Sequence, residues 1–134
     1  YVIVNRRSPL TIERGRAWLV ARPLNATAML AAGKHLVGRH DFTSFRASEC
    51  QAASPVKTLS LLQSVRTGER IHITAEARSF LHRQVRNIVG TLVMVGEGKI
   101  APDQVVTILG ARNRESAGPC APPDGLYLVA ISYD

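Results

Sequence analysis

Arg86 is the residue of this sequence best placed to do chemistry. It lies in the run Phe80-Leu81-His82-Arg83-Gln84-Val85-Arg86-Asn87-Ile88-Val89-Gly90. Helical geometry puts it in line with His82, Val89 and Val93, beside Val85 and Leu92, so it is expected to be at least half buried. A guanidinium cannot lose its proton to escape that burial and needs a carboxylate or phosphate partner. Its place near the start of a helix, where the macrodipole disfavours a cation, makes the demand stronger. No acidic residue lies one helical turn away on either side. Two readings follow: an arginine that reaches solvent along its aliphatic stem, or one that holds an anion in a cleft.

The remaining reactive side chains are less well set. Asp41 precedes Phe42 and Phe45, where a carboxylate can serve as general base or nucleophile, or can tie the N–H groups of a loop after a helix. None of the four histidines, His35, His40, His72 and His82, has a second ligand at zinc spacing, and no metal is expected. The two cysteines, Cys50 and Cys120, are far apart and fit no C-x-x-C pattern, so they read as reduced thiols of a cytosolic protein. Arg46 lies near Cys50 and could lower its pKa, but nothing fixes a base beside it. No Gly-x-Ser-x-Gly, P-loop or dinucleotide fingerprint occurs. A hydrolase built on Asp41 or Cys50 would lack a base and its orienting group.

The elements that must position these groups follow from hydrophobic period. Residues 1–4 and 16–20 read as strands. Asn25 caps a helix expected to run to about residue 37, with Gly38 as its stop. Residues 38–47 show neither period and are expected to form an ordered loop. Alternation over residues 59–65 and 71–77 around Thr67-Gly68-Glu69 predicts a β-hairpin. The stripe at 81, 85, 88, 92 and 95, with a second through Val89 and Val93, predicts a helix packed on most sides, against the sheet and under another layer. Pro102 and Asp103 open a shorter helix. Residues 112–125 form a basic Gly/Pro loop, and residues 126–133 read as an interior strand. The inventory is about five strands and three helices in α+β order.

With 134 residues and 46% hydrophobic content, the chain can bury the core of one domain spanning residues 1–134. Its longest apolar stretch is far short of the roughly 20 residues of a membrane span. A net charge of +7 attracts polyanions. The basic residues are scattered over strands and loops, not gathered on one helix face, which favours nucleic acid over lipid. The densest cluster, Arg6, Arg7, Arg14 and Arg16, is expected to contact phosphates. The chain opens on Tyr-Val-Ile-Val without an initiator Met and reads as a piece of a longer protein.

Three motifs in order carry a family resemblance: His40-Asp41-Phe42-Thr43-Ser44-Phe45-Arg46, then residues 80–90, then Ala121-Pro122-Pro123-Asp124-Gly125-Leu126-Tyr127-Leu128. Asn5-Arg6-Arg7 and Pro23-Leu24-Asn25 fit as well. Together they resemble the C-terminal half of the TruA family of tRNA pseudouridine synthases over nearly the whole chain.

The resemblance implies an α+β fold, a mixed and largely antiparallel sheet with about three helices packed on one face and RNA on the other. It implies a cytoplasmic homodimer that isomerises uridine to pseudouridine on the 3′ side of the tRNA anticodon arm, without metal or organic cofactor. In the family an aspartate from an N-terminal-half Arg-Thr-Asp-Ala-Gly motif attacks the nucleotide, and that motif does not occur here. The resemblance makes Arg86 the partner of that absent aspartate and Leu126 a lining residue of the uracil pocket. It aligns Tyr1 with the second tyrosine of a Tyr-x-Tyr pair whose first member stacks on the base. His40, Asp41, Phe42 and Arg46 fall in a loop that resembles the RNA-facing one. The implied partners are tRNA and the N-terminal half of the same protein, with no membrane. The rival reading is a non-catalytic RNA-binding module.

Overall fold

The centre of the sheet is the hairpin that the alternating pattern predicts. Strands β4 (Val56–Thr67) and β5 (Arg70–Ala77) pair antiparallel, with Thr67 opposite Arg70 across Gly68 and Glu69. Along β5, Ile71 and Ile73 are buried while Arg70, His72, Thr74 and Glu76 are exposed, the mark of a sheet covered on one face only. Strand β1 (Val2–Asn5) adds antiparallel to β5 with Ile3 opposite Ile71. Strand β2 (Trp18–Val20) adds parallel to β1, and β3 (Gly38–Asp41) adds antiparallel to β4. The result is a mixed five-stranded sheet in the order β2-β1-β5-β4-β3, in an α+β fold as expected. The structure is a computed structural model that describes residues 1–47 and 54–129.

Asn25 caps α1 (Ala26–Lys34), its side chain accepting from the Ala28 N–H at 3.0 Å. α1 crosses β4 and packs on α2 (Gln84–Gly96), whose Ile88, Val89, Leu92, Val93 and Val95 are all buried. Segment 117–121 lies on α2 where Gly90 leaves room: a Cβ on Gly90 would stand 1.6 Å from the Pro119 carbonyl oxygen. Gly90→Ala is therefore expected to lower stability by about 3 kcal/mol, read as a shift in the urea midpoint of the intact protein. α3 (Gln104–Ala111) follows Pro102 and buries Val105. Among the described residues no helix is long and apolar enough to cross a membrane.

Four expectations need correction. Residues 38–47 are not all loop: 38–41 are β3, and Thr43–Phe45 form a 3-10 turn. Backbone pairing with β4 makes a strand from Gly-Arg-His-Asp, whose polar side chains carry no alternation. α1 ends at Lys34, with Leu36 folded into the core and Gly38 opening β3. α2 begins at Gln84 because Arg83 takes the left-handed conformation at φ 61° and the Gln84 side chain accepts from the Leu81 N–H at 2.8 Å. Residues 126–129 are not an interior strand. No described strand pairs with them, and Leu128 and Val129 are 79% and 91% exposed. The rest of that expected strand, and Cys50, lie outside the described residues.

Candidate active site

Arg86 sits in the first turn of α2, half-buried, and is locked to the segment that lies on this helix. Its Nε donates to the Ala121 carbonyl at 2.7 Å, while the Ala121 N–H donates to the Arg86 carbonyl at 3.0 Å. This reciprocal pair fixes the side chain and leaves the outer guanidinium nitrogens for another acceptor. Among the described residues, no carboxylate forms an ion pair with Arg86. It lines neither the hollow beside Glu13 nor the one beside Lys57, so those hollows are not the expected cleft.

Tyr1 stands beside Arg86. Its hydroxyl donates to the Pro122 carbonyl, and its ring meets Trp18 edge-on at 6.4 Å. Burial pushes the phenol pKa well up; the Arg86 charge opposes that shift, and Asp124 and Cys120 add to it. The 3-10 turn Pro123–Gly125 rests on this ring: a Cβ on Gly125 would stand 2.6 Å from the Val2 carbonyl oxygen and 2.7 Å from Tyr1 Cε1. Only glycine lets the turn settle there. Tyr1 is thus a buried prop under the turn, with little surface to offer a base, while Leu126 leaves the turn 44% exposed.

A buried polar network that the sequence reading missed holds the rest in register. Asn87 Nδ2 donates to the Phe45 carbonyl at 2.8 Å, and Asn87 Oδ1 accepts from Arg114 at 2.9 Å. Arg114 also donates to the Gly118 carbonyl at 2.8 Å, and the Gly118 N–H donates to Thr91 Oγ1 at 2.9 Å. Thr91 in turn donates to the Asn87 carbonyl at 3.0 Å. These bonds tie the Phe45 turn, α2 and segment 114–118 into one frame. The only local hint in the sequence is the four-residue spacing of Asn87 and Thr91.

The 40–46 segment divides into support and surface. Asp41 accepts from the Thr43 N–H at 2.9 Å and the Thr43 hydroxyl at 2.6 Å. The Thr43 hydrogen bonds first, with Arg112 at 3.6 Å adding to them, hold this carboxyl below its ordinary range. That is the local tie of the two readings above. His40 Nε2 lies 2.9 Å from the Val37 carbonyl, with the ring edge-on to Phe42. Phe42 is fully buried, so the expectation that it touches RNA is corrected: its ring packs against Phe45 and offers no surface. Arg46 is half-buried.

The basic cluster also divides. Arg6 is bound by Glu13 at 3.3 Å and Glu69 at 3.2 Å and donates to the Ser8 and Pro9 carbonyls, so it is a structural ion pair and not a free phosphate contact. Arg7, Arg14 and Arg16 are exposed, and the Arg16 carbonyl accepts from the Tyr127 hydroxyl at 2.6 Å. Hydrogen bonds from its own and the Thr11 backbone N–H, then from Arg6, lower the Glu13 pKa to about 2. A depressed carboxylate contributes stability above its ordinary pKa of 4.5 and loses it as pH falls towards about 2. The Glu13 carboxyl is expected to titrate by NMR with a midpoint near 2, and Arg6→Gln is expected to raise that midpoint.

Residues 32–134 match the family model described as tRNA pseudouridine synthase. The chain belongs to that family. It is 57% identical over 133 residues to tRNA pseudouridine synthase A of Paramagnetospirillum magneticum, covering 99% of this chain and 52% of that protein. It is 58% identical to the protein of the same name from Rhodospirillum centenum and 56% to that from Rhodospirillum rubrum, covering 99% of this chain and 54% and 48% of those proteins. The chain spans about half the length of the curated relatives it matches.

Proposed function

We propose that this chain is one domain, the C-terminal half of a tRNA pseudouridine synthase, and that it supplies Arg86 to an active site completed by the other half. One observation carries the reading: Arg86 is fixed at both its backbone and its Nε by Ala121, yet has no carboxylate among the described residues. A guanidinium held in this way is preorganised for an anion that arrives from elsewhere. The family chemistry calls for such an anion, an aspartate kept ionised while it attacks the nucleotide. The N-glycosidic bond then breaks, the uracil turns over, and its C5 joins the sugar carbon that N1 has left; the aspartate is released, the C5 proton is lost, and N1 takes up a proton. The reaction requires a flipped nucleotide in a site closed to water.

In this reading Leu126, which follows the turn propped by Tyr1, lines the uracil pocket. His40 and Arg46, with exposed Arg7, Arg14 and Arg16, face tRNA. Asp41 shapes its own loop. The substrate is the anticodon arm of tRNA, no metal or organic cofactor takes part, and the intact enzyme is a cytoplasmic homodimer. The test is to incubate the intact protein with unmodified tRNA and separate the nucleosides of the digested product. Pseudouridine confined to the anticodon arm is the expected result. An intact protein that binds tRNA and yields none would be a non-catalytic RNA-binding module.

A further inference from the structure

Away from Arg86, at the β3 edge of the sheet, Arg39, Lys57 and Arg78 line one hollow of about 280 Å³ together with Ser54, Thr58 and Ser79. Strand register builds it. Arg39 is paired with Thr58, and Leu59 is paired with Ala77, so Arg78 falls across from Thr58 on the other side. The two arginines therefore flank β4 about 10 Å apart, two strand spacings. Leu59 is fully buried, so its neighbour Thr58 points to the face that α1 and α2 do not cover. Lys57 Nζ donates to Ser79 Oγ at 2.9 Å, which fixes the ammonium at the same hollow.

No aspartate or glutamate among the described residues lines this hollow. Among the described residues, Arg6, Arg22, Arg70, Lys99 and Arg112 each pair with a carboxylate, whereas Arg39, Lys57 and Arg78 do not. Three cations gathered with no counter-charge among the described residues repel one another, and a bound anion would relieve that repulsion. Two guanidinium groups on one hollow, with hydroxyl donors in the same lining, suit the tetrahedral oxygens of a phosphate.

We infer that this hollow is a notch for the RNA backbone, holding a phosphodiester group between Arg39 and Arg78 with Lys57 beside it. The inference rests on the tRNA reading above and names a contact region separate from Arg86. The occupant is backbone and not base, because apart from Val56 the described lining offers cations and hydroxyls, with no aromatic ring on which a base could stack.

The test measures the affinity of the intact protein for unmodified tRNA against salt concentration. Arg39→Gln/Arg78→Gln is compared with Lys34→Gln/Lys99→Gln, which removes the same charge from exposed positions outside the hollow. The first pair is expected to lower the log–log salt slope by about 0.8, one phosphate's worth, and affinity by about tenfold, and the control pair to leave the slope unchanged. Arg78→Gln alone is expected to give about half the slope change. Equal slopes for the two double variants would overturn the notch. It would also be overturned if inorganic phosphate raised the melting temperature of the wild type but not of Arg39→Gln/Arg78→Gln while the tRNA slopes stayed equal, since the hollow would then serve free phosphate. Pseudouridine formation by the wild type is scored separately. A slope change without conversion retires the proposed reaction and keeps the notch.

Discussion

Arg86→Ala in the intact protein is expected to lower single-turnover conversion of uridine by about a thousandfold or more, while tRNA affinity changes by less than about threefold. The asymmetry follows from what the side chain does. Its Nε is spent on the Ala121 carbonyl, and its outer nitrogens have no carboxylate partner among the described residues. In the proposed site its removal would leave the catalytic carboxylate without its cation, so that group's pKa would rise and its ionised fraction at neutral pH fall. The acid limb of the pH–rate profile is therefore expected to move upward. In the proposed reading binding rests on many phosphate contacts, of which this change would remove at most one. Arg86→Lys is expected to recover part of the pH shift and little of the rate, because an ammonium keeps the charge but lacks the fork that bonds Ala121 and an anion together. Equal losses in rate and affinity would make Arg86 an ordinary RNA contact.

What could be read from the sequence was whatever the chain states locally. The β4–β5 hairpin announces itself by alternation, the Asn25 cap by residue type, and α2 by a hydrophobic stripe that wraps most of its circumference. Strand β3 does not, because Gly-Arg-His-Asp becomes a strand only through its pairing with β4. The start of α2 was hidden because no residue type signals a left-handed arginine at position 83. Residues 126–129 misled in the opposite sense: their apolar pattern describes a burial that the described residues do not supply.

At the site, Arg86 was legible because a cation among apolar helical neighbours needs an explanation. The Asn87, Thr91 and Arg114 network was not, since Arg114 reaches Asn87 across 27 residues. Arg6 read as a phosphate contact because counting charges takes cations one at a time. Its partners Glu13 and Glu69 lie 7 and 63 residues away. Phe42 lost its expected role for the same kind of reason, since only the packed structure shows an aromatic loop residue turned wholly inward.

The central claim is that this chain carries the supporting arginine and not the nucleophile. Forming pseudouridine requires an ionised carboxylate within covalent reach of the nucleotide, in a site closed to water. Of the four aspartates, Asp41 is tied to Thr43 and Arg112, and Asp103 is exposed at the start of α3. Asp124 is exposed on the turn beside Tyr1, and Asp134 lies outside the described residues. None stands in an Arg-Thr-Asp-Ala-Gly setting. Loss of the nucleophile removes the covalent route itself, so binding groups alone leave no slow version of the same reaction. The most direct measurement is tritium release from unmodified tRNA labelled at uridine C5, first with this chain alone and then with the other half of the intact protein added. No release above background is expected from the chain alone, and release is expected on complementation. Release by the chain alone would contradict it and place the nucleophile within these residues, with Asp41 the first to replace.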